Sequence, residues 1–268
     1  MRSGDTRSSE RRPTAHLTWV GHSTVFIDLD GVRLLTDPVL RNRVAHLRRQ
    51  IPPAGITKYA NVDIILVSHL HFDHLDLPSL ERLGREVPLL VPCGGGRLLT
   101  RRGFRRVTEV EAGEEIRVGA LTIRATHAEH NGSRLPFGAR ASALGYVVTG
   151  SYKFYFAGDT DLFDDMAEIG HELDVALIPI WGWGPSAGSG HLDPRRAAKA
   201  LRLLRPLLAV PIHWGTYVPL GLGRLQAALL ADPVAEFRRH ATELTPEVKV
   251  HILDPGETLL LAAITDGG

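Results

Sequence analysis

Short apolar runs separated by turn residues dominate the chain from Leu17 onward. The first three runs are LTWV, TVFIDLD and VRLLTD, and Gly31 lies between the second and the third. Apolar runs of this length, bounded by glycine and acidic residues, are typical of β-strands joined by tight turns. We therefore predict a strand, a hairpin and a further strand in this region.

Further runs of the same kind follow along the rest of the chain. The run at residues 63–68, DIILVS, is rich in β-branched residues and has the length of a buried strand. A Gly-Ser pair separates two of the later runs and predicts a turn between them. These further predicted strands cover residues 63–68, 88–91, 121–126, 143–149, 152–157, 174–180 and 207–213.

Two helices are predicted among the later strands. Asp193 followed by Pro194 is a helix-start signal, and the apolar residues after it recur at helical spacing as far as Arg205. A second helix is expected to start near Leu222. Because strands outnumber helices and no repeat or linker is visible, we expect residues 14–268 to form one domain of mixed α and β layers. Residues 1–13 are polar and rich in Arg and Ser, which predicts a disordered tail.

Composition narrows the class of protein. The chain has 268 residues, of which 44% are hydrophobic and 23% charged, and its formal net charge is +1. These values are typical of a globular protein and argue against a nucleic-acid binder, which needs a surplus of basic residues. No apolar run reaches the length of a membrane span. The single cysteine, Cys93, excludes an intramolecular disulfide and a cysteine-based zinc site. We expect a reduced, cytoplasmic protein.

The thirteen histidines are unevenly distributed. The segment SHLHFDHLD, residues 68–76, follows a predicted strand and holds three of them with two carboxylates. The two-residue period of a strand places His69 and His71 on the same side, where both can bind one cation. Asp73 and His74 leave in another direction and suit a second cation. The alternative is a polar loop whose histidines cap a helix or bond to the backbone.

Three more candidate ligands follow later predicted strands. Asp159 comes after the strand at 152–157, His213 ends the strand at 207–213, and His130 follows the strand at 121–126. The carboxylate of Asp159 is able to bridge two cations. At any single strand end the alternative is a cap or a hydrogen-bonded surface group, but the first cluster favours metal binding.

The pattern His-x-His-x-Asp-His at residues 69–74 resembles the signature of the metallo-β-lactamase fold superfamily. The other matching motifs are WVGHST at 19–24, LTDP at 35–38, AGDT at 157–160, HLDP at 191–194 and HWGT at 213–216. Together they look most like the branch that contains N-acylphosphatidylethanolamine-hydrolysing phospholipase D and the ascorbate-6-phosphate lactonases. The resemblance implies an α/β fold, a four-layer αββα sandwich with the metals at the rim of the two sheets.

The resemblance also implies a ligand set. One metal would be held by His69, His71 and His130, the second by Asp73, His74 and His213, with Asp159 as the bridge. We choose His130 over His127 because relatives carry an Ala-x-His triplet, which here is residues 128–130. Relatives often have proline where this chain has His127, and the role of His127 stays open.

Further residues are assigned supporting roles by the same motifs. Asp37 and His22 would orient ligands, because a ligand histidine needs its other ring nitrogen fixed; the alternative for both is strand-end hydrogen bonding. His191 matches a position that touches substrate in the phospholipase relatives. It follows the Gly-rich residues 181–190, for which we expect a loop over the pocket, although the tryptophans at 181 and 183 could equally pack locally.

Two divalent cations about 3.5–4 Å apart would activate a shared hydroxide and accept charge from a substrate oxygen. We therefore predict a dinuclear hydrolase acting on a phosphodiester, as a phospholipase D does, or on a lactone or ester. Asp73, Asp159 and His191 are the predicted catalytic residues. Nitrogen and oxygen ligands without thiolate suit Zn²⁺, and Mn²⁺ or Fe is compatible with the same ligands. The expected substrate is a small or lipid-derived molecule, and a homo-oligomer is left open.

Three alternatives keep the fold and change the activity. A nuclease is one, although no RNA-binding insertion is visible in the sequence. A mononuclear iron oxygenase is another, and it would leave Asp73 and His74 without a metal. The third is a non-catalytic metal-binding module.

Overall fold

The computed structural model describes residues 13–52, 59, 61–134, 138–182, 190–220 and 227–262. Several predictions concern residues outside these ranges. They are the disordered tail, of which only Pro13 is described, the helix start near Leu222, and most of the Gly-rich loop at 183–189.

Each strand predicted from the sequence overlaps a strand of the structure. In chain order the strands are β1 (Ala15–Gly21), β2 (Thr24–Leu29), β3 (Val32–Thr36), β4 (Arg43–Val44), β5 (Leu47–Arg49), β6 (Ile64–Leu66), β7 (Leu89–Pro92), β8 (Val107–Val110), β9 (Glu115–Val118), β10 (Leu121–His127), β11 (Leu144–Thr149), β12 (Lys153–Phe156), β13 (Val175–Pro179), β14 (Leu208–Ile212), β15 (Tyr217–Pro219), β16 (Lys249–Val250) and β17 (Thr258–Leu261).

The helices are, in chain order, α1 (Leu77–Leu83), α2 (Gly96–Thr100), α3 (Met166–Ile169), α4 (Pro194–Leu204) and α5 (Ala227–Leu244). The predicted helix after Asp193 is confirmed as α4. Asp193 accepts a hydrogen bond from the backbone N–H of Arg196 at 2.7 Å, which satisfies one of the free donors of the first turn. The helix ends where Arg205 adopts a left-handed conformation.

The strands form two large mixed sheets and one small sheet. The spatial order is β17-β1-β2-β3-β6-β7-β8 in the first sheet, β16-β14-β13-β12-β11-β10-β9 in the second, and β15-β5-β4 in the small one. In the first sheet β3, β6, β7 and β8 run parallel. In the second, β12, β13, β14 and β16 run parallel. Because β10 and β12 are both antiparallel to β11, β10 ends at the same edge as β12.

The core lies in three layers between and outside the two large sheets. Side chains such as Trp19, Tyr146 and Phe156 fill the space between the sheets. Leucines of α1 and α2 cover the outer face of the first sheet. Residues of α3, α4 and α5 cover the outer face of the second. The predicted four-layer αββα sandwich is therefore confirmed.

The carboxyl ends of β6, β10, β12 and β14 meet along one rim. Hydrogen bonds tie the two sheets together there, because the Leu144 N–H donates to Ser68 O at 2.9 Å and the Tyr146 hydroxyl donates to Val67 O at 2.8 Å. Carboxyl ends of strands are the usual place for ligand sites in sheets of this kind. The chain segments that follow these four strands carry the seven residues predicted as metal ligands.

Candidate metal centre

The segment after β6 turns sharply at the rim. The backbone N–H groups of His74 and Leu75 both donate to His71 O, at 3.1 and 2.8 Å. Leu70 and Leu75 are buried against the outer face of the first sheet. These apolar anchors hold the turn in place, and the polar residues between them project into the rim.

The first set of side chains to converge is His69, His71 and His130, here called the three-histidine group. Their ring nitrogens lie within 4.8 Å of one another. His71 Nδ1 is 2.9 Å from His69 Nε2 and 3.2 Å from His130 Nε2. His69 is buried, and the other two histidines are partly exposed.

The second set is His22, Asp73, His74 and His213, here called the four-residue group. Its ligand atoms also lie within 4.8 Å of one another. Asp73 Oδ2 is 3.1 Å from His22 Nε2 and 3.8 Å from His74 Nε2. The three histidines of this group are buried, while Asp73 is partly exposed.

Asp159 contacts two histidines of the four-residue group and also His191. Its Oδ1 is 3.1 Å from His213 Nε2, and its Oδ2 is 3.2 Å from His74 Nε2. The same Oδ2 is 3.3 Å from His191 Nε2. His130, Asp159 and His191 also form a set with ligand atoms within 4.8 Å, so Asp159 connects both sides of the centre.

Oxygen acceptors fix the Nδ1 atoms of His69 and His74, which turns their Nε2 atoms inward. The carboxylate of Asp37 accepts from His74 Nδ1 at 2.7 Å and from the Ser68 hydroxyl at 2.5 Å. Ser68 Oγ lies 2.9 Å from His69 Nδ1, and because its own proton goes to Asp37, it accepts from this histidine. Such outer hydrogen bonds set the tautomer and orientation of a ligand histidine.

Backbone carbonyls do the same for the histidines on the second sheet. His130 Nδ1 lies 2.7 Å from Gly190 O, and His213 Nδ1 lies 2.6 Å from Trp181 O. A carbonyl only accepts, so both rings carry their proton on Nδ1 and leave Nε2 able to bind a cation.

The backbone is strained where it brings these groups together. His22, Asp37 and His213 have positive φ angles of 54°, 34° and 65°. Positive φ is uncommon for residues other than glycine and occurs often at functional sites. Gly158, beside Asp159, also has positive φ, and a Cβ there would lie 2.6 Å from Ser68 Cβ. This close approach requires glycine at the position.

Burial lowers the pKa of most histidines of the centre, whereas the carboxylates of Asp159 and Asp37 raise the pKa of His74. Burial, reinforced by His74, lowers the pKa of His69 and of His71. Burial also lowers the pKa of His130 to about 4 and, with His213, that of His22 to about 3. Burial opposes the charge on His74, but Asp159 and Asp37 raise the pKa of His74 well above its ordinary value.

The carboxylates and His191 respond to the same neighbours. Burial acts against ionisation, yet His213 and His74 hold the pKa of Asp159 well below its usual range. Burial is also the largest single influence on Asp73, but the hydrogen bond from His22 and the nearby charges of His74 and His22 together outweigh it and lower the pKa of Asp73. Burial alone would lower the pKa of His191, but the contact with Asp159 raises it. Ionised carboxylates among largely neutral imidazoles form a donor set that fits divalent cations such as zinc.

All seven ligands expected from the sequence are thus close together, and Asp37, His22 and His191 lie beside them. His127 is not among them, because its side chain is exposed and its Nε2 lies 3.3 Å from Glu129 Oε2. The sequence did not point to Ser68 or to the carbonyl oxygens of Gly190 and Trp181. Ser68 could have been noticed because it directly precedes the histidine motif. The carbonyls could not, since every residue type carries one.

The chain belongs to the metallo-β-lactamase fold superfamily. Residues 32–214 match the family described as "Beta-lactamase superfamily domain". This range includes every residue of the two groups except His22.

Two relatives are about one third identical to this chain over the aligned residues. N-acyl-phosphatidylethanolamine-hydrolyzing phospholipase D 1 of Caenorhabditis elegans is 34% identical over 76% of this chain, and the alignment spans 64% of that protein. The UPF0173 metal-dependent hydrolase MK1542 of Methanopyrus kandleri is 34% identical over 90% of this chain and 98% of its own length.

Solved structures extend the likeness to the fold. Igni18, a metallo hydrolase from Ignicoccus hospitalis, superimposes with a TM-score of 0.71 at 27% identity, covering 93% of this chain and 99% of its own. An isothiocyanate hydrolase from Delia radicum gut bacteria superimposes with a TM-score of 0.72 at 20% identity, covering 92% of this chain and all of its own. At this identity the similarity shows a shared fold only. Across the described parts of the chain, none of the helices has the length and apolar character of a membrane span.

Proposed function

We propose that this chain is a metal-dependent hydrolase that holds two divalent cations, Zn²⁺ being the best match to its ligands. His69, His71 and His130 bind one cation, Asp73, His74 and His213 bind the other, and Asp159 bridges them. His22 and Asp37 orient the ligands. We further propose that residues 14–268 form a single hydrolase domain.

The observation that carries the proposal is the position of Asp159 between the two groups. Its two oxygens face His213 and His74 of the four-residue group, and Asp159 also forms a set with His130 of the three-histidine group in which the ligand atoms lie within 4.8 Å of one another. Each group separately offers three or four nitrogen or oxygen atoms close enough to surround one cation. A buried cluster of this composition needs positive charge to balance its carboxylates and to use its inward-facing nitrogens. The hydrolase names of the relatives support the same conclusion.

The residues around the cations have separate tasks in this proposal. Bound cations supply an activated water and stabilise negative charge on the substrate oxygen. Asp73 and Asp159 hold the cations in place, and Asp159 also contacts His191. His191 is partly exposed, with a side-chain accessibility of 22%, so it can reach a substrate that Asp159 cannot. Its Nε2 proton faces Asp159 Oδ2 here; when substrate binds, this proton would turn to a phosphate or oxyanion oxygen and be donated to the leaving oxygen.

The proposed substrate is a phosphodiester or a lactone or ester. The phospholipase D relative favours a phosphodiester of a lipid-derived molecule. Because the chain spans only 64% of that relative's length, the lipid part of this assignment depends on the test below.

The test is an activity screen of metal-reconstituted protein against phosphodiesters, phospholipids, lactones and esters, with metal content measured by emission spectroscopy. We expect two cations per chain and turnover of one of these classes. His191→Ala should keep both cations and lower kcat about 10²-fold. His171→Ala, which alters an exposed histidine, is the matched control.

Other outcomes would replace the proposal with a specific alternative. Two bound cations without turnover of any class would indicate a non-catalytic binding module. A single iron with oxygen-dependent turnover would indicate an oxygenase. Hydrolysis confined to RNA would indicate a nuclease.

A further inference from the structure

Asp161 lies where three segments of the candidate metal centre meet. These segments carry Asp159, His130 and His191, which form one of the potential ligand sets. Asp161 is not a member of that set and is 6% exposed. It therefore contacts all three segments without being a ligand.

Its backbone and its neighbour hold the segment of His130. The Asp161 N–H donates to Glu129 O at 2.9 Å, and the Glu129 N–H donates to the Thr160 hydroxyl oxygen at 2.9 Å. These two bonds pair the segment around Asp161 with the residue that precedes His130.

Its side chain holds the segment of His191. Asp161 Oδ2 accepts from the Gly190 N–H at 3.1 Å, and Oδ1 accepts from the Leu162 N–H at 2.6 Å. Oδ1 also forms an ion pair with Arg196 in the first turn of α4. A buried carboxylate with a cationic partner and two backbone donors is well satisfied and has one orientation.

Gly190, which Asp161 holds, contacts His130 in turn. Its carbonyl oxygen is the acceptor for His130 Nδ1, and a Cβ at this glycine would lie 3.1 Å from the same nitrogen. The residue after Gly190 is His191, whose ring lies 4.6 Å from the ring of His130. A shift of Gly190 would therefore move the acceptor of one histidine and the backbone of the other.

We propose that Asp161, held by its ion pair with Arg196, is a positioning residue that orients His130 and His191 together through Gly190. The effect is confined to one side of the centre, because the four-residue group takes its acceptors from Asp37 and Trp181 instead. The proposal rests on the proposed function, since it assumes that His130 binds a cation.

The experiment measures metal binding as well as activity. Asp161→Asn removes the charge and the ion pair, and Arg196→Met removes the ion pair without altering Asp161. Asp164→Asn and Arg195→Met are matched controls, because both alter exposed charged residues nearby in the same segments. Binding constants for Zn²⁺ are measured by competition with a chromophoric chelator, and the Co²⁺-loaded proteins are compared by visible absorption.

We expect the wild type and both controls to bind two cations. In Asp161→Asn and Arg196→Met, one of the two dissociation constants should rise about 10- to 100-fold and the other should stay unchanged. His130→Ala should show the same single loss and the same change in the Co²⁺ spectrum. The Asp161→Asn/Arg196→Met double variant should be no weaker than the more affected single variant, because the two residues act as one unit.

Three results would overturn the proposal while leaving the dinuclear hydrolase intact. These are two unchanged constants in both variants, equal weakening of both constants, or a loss that is matched by the control variants. If the wild type itself binds fewer than two cations, the proposed function fails instead, and the result for Asp161 is then judged by the His130-dependent Co²⁺ spectrum. In that case an unchanged spectrum in Asp161→Asn refutes the positioning role.

Discussion

The three-histidine group and the four-residue group differ in charge and in exposure. The first consists of imidazoles only, and two of its three members are partly exposed. The second includes the carboxylate of Asp73 and has three buried histidines. A carboxylate attracts a cation more strongly than a neutral ring does, and burial limits exchange with water. We therefore expect the four-residue group to hold its cation more tightly and the three-histidine group to be the one that meets substrate.

The anchors of the two groups differ in the same way. Asp37, which orients His74, is buried and accepts three hydrogen bonds from Ser68 and His74. His22 and His213 are joined by a backbone hydrogen bond of 3.0 Å. The orientation of His130 instead depends on one backbone carbonyl, that of Gly190. The more exposed of the two groups thus has no carboxylate anchor at His130.

The largest effect is expected where the two groups meet. Asp159→Asn replaces the proposed bridge by a neutral amide, so both cations should bind more weakly and kcat/KM should fall by about 10³-fold. Metal analysis after dialysis and steady-state kinetics measure the two effects. Asp165→Asn, at an exposed position, serves as the control. Two tightly bound cations in Asp159→Asn would show that the groups do not share this residue.

Chelator treatment compares the groups directly. We expect metal to leave in two phases, the faster one from the three-histidine group. His71→Ala should abolish the faster phase, and His74→Ala should abolish the slower one, because each histidine belongs to one group. Release is followed by stopped-flow absorbance with a chromophoric chelator. A single phase in the wild type, or loss of the same phase in both variants, would contradict the comparison.

A smaller change in cation binding is expected when the hydrogen-bond acceptors of His74 Nδ1 and His69 Nδ1 are altered. Asp37→Asn weakens the acceptor of His74, so the tighter cation should bind about 10- to 100-fold more weakly. Ser68→Ala removes the acceptor of His69 and should weaken mainly the other cation, by about tenfold. Competition titrations with Zn²⁺ give both constants. The comparison fails if the two variants weaken the same cation.

The smallest effect is expected at an anchor common to both groups. Arg134 Nη1 donates to Leu70 O and Leu75 O at 3.0 and 2.9 Å, and its guanidinium lies 4.1 Å from the ring centre of Phe72. Arg134→Met should lower the free energy of unfolding of the metal-free protein by about 1–2 kcal/mol. It should weaken both cations to the same small extent, because the segment it holds carries ligands of both groups. Urea denaturation measures the first effect, with the exposed Arg97→Met as the control, and selective weakening of one cation would argue against a common anchor.

Local pattern was sufficient to predict most of the architecture. Strand runs such as residues 121–126 were identified from their apolar residues, and α4 from Asp193 and Pro194, because these signals act within a few residues of one another. The predicted strand boundaries were less accurate than the strands themselves. For example, β6 spans only Ile64–Leu66, within the predicted range 63–68. The short strands β4 and β5 were not predicted, because two or three residues carry too little pattern and β15, which pairs with β5, is far away in sequence.

The sequence by itself determined the chemistry of the centre. Residues 69–74 place three histidines and an aspartate within six positions, and this local density indicates a metal site in any fold that brings the segment to a rim. Sequence motifs also pointed to the distant residues His130, Asp159 and His213, and only the tertiary structure decided which groups orient each ring. Gly190 O, Trp181 O and the carboxylate of Asp161 act through contacts between segments that are far apart along the chain. A carbonyl or a buried aspartate has no distinctive local pattern, so its role is fixed by the packing of the two sheets and not by its neighbours in sequence.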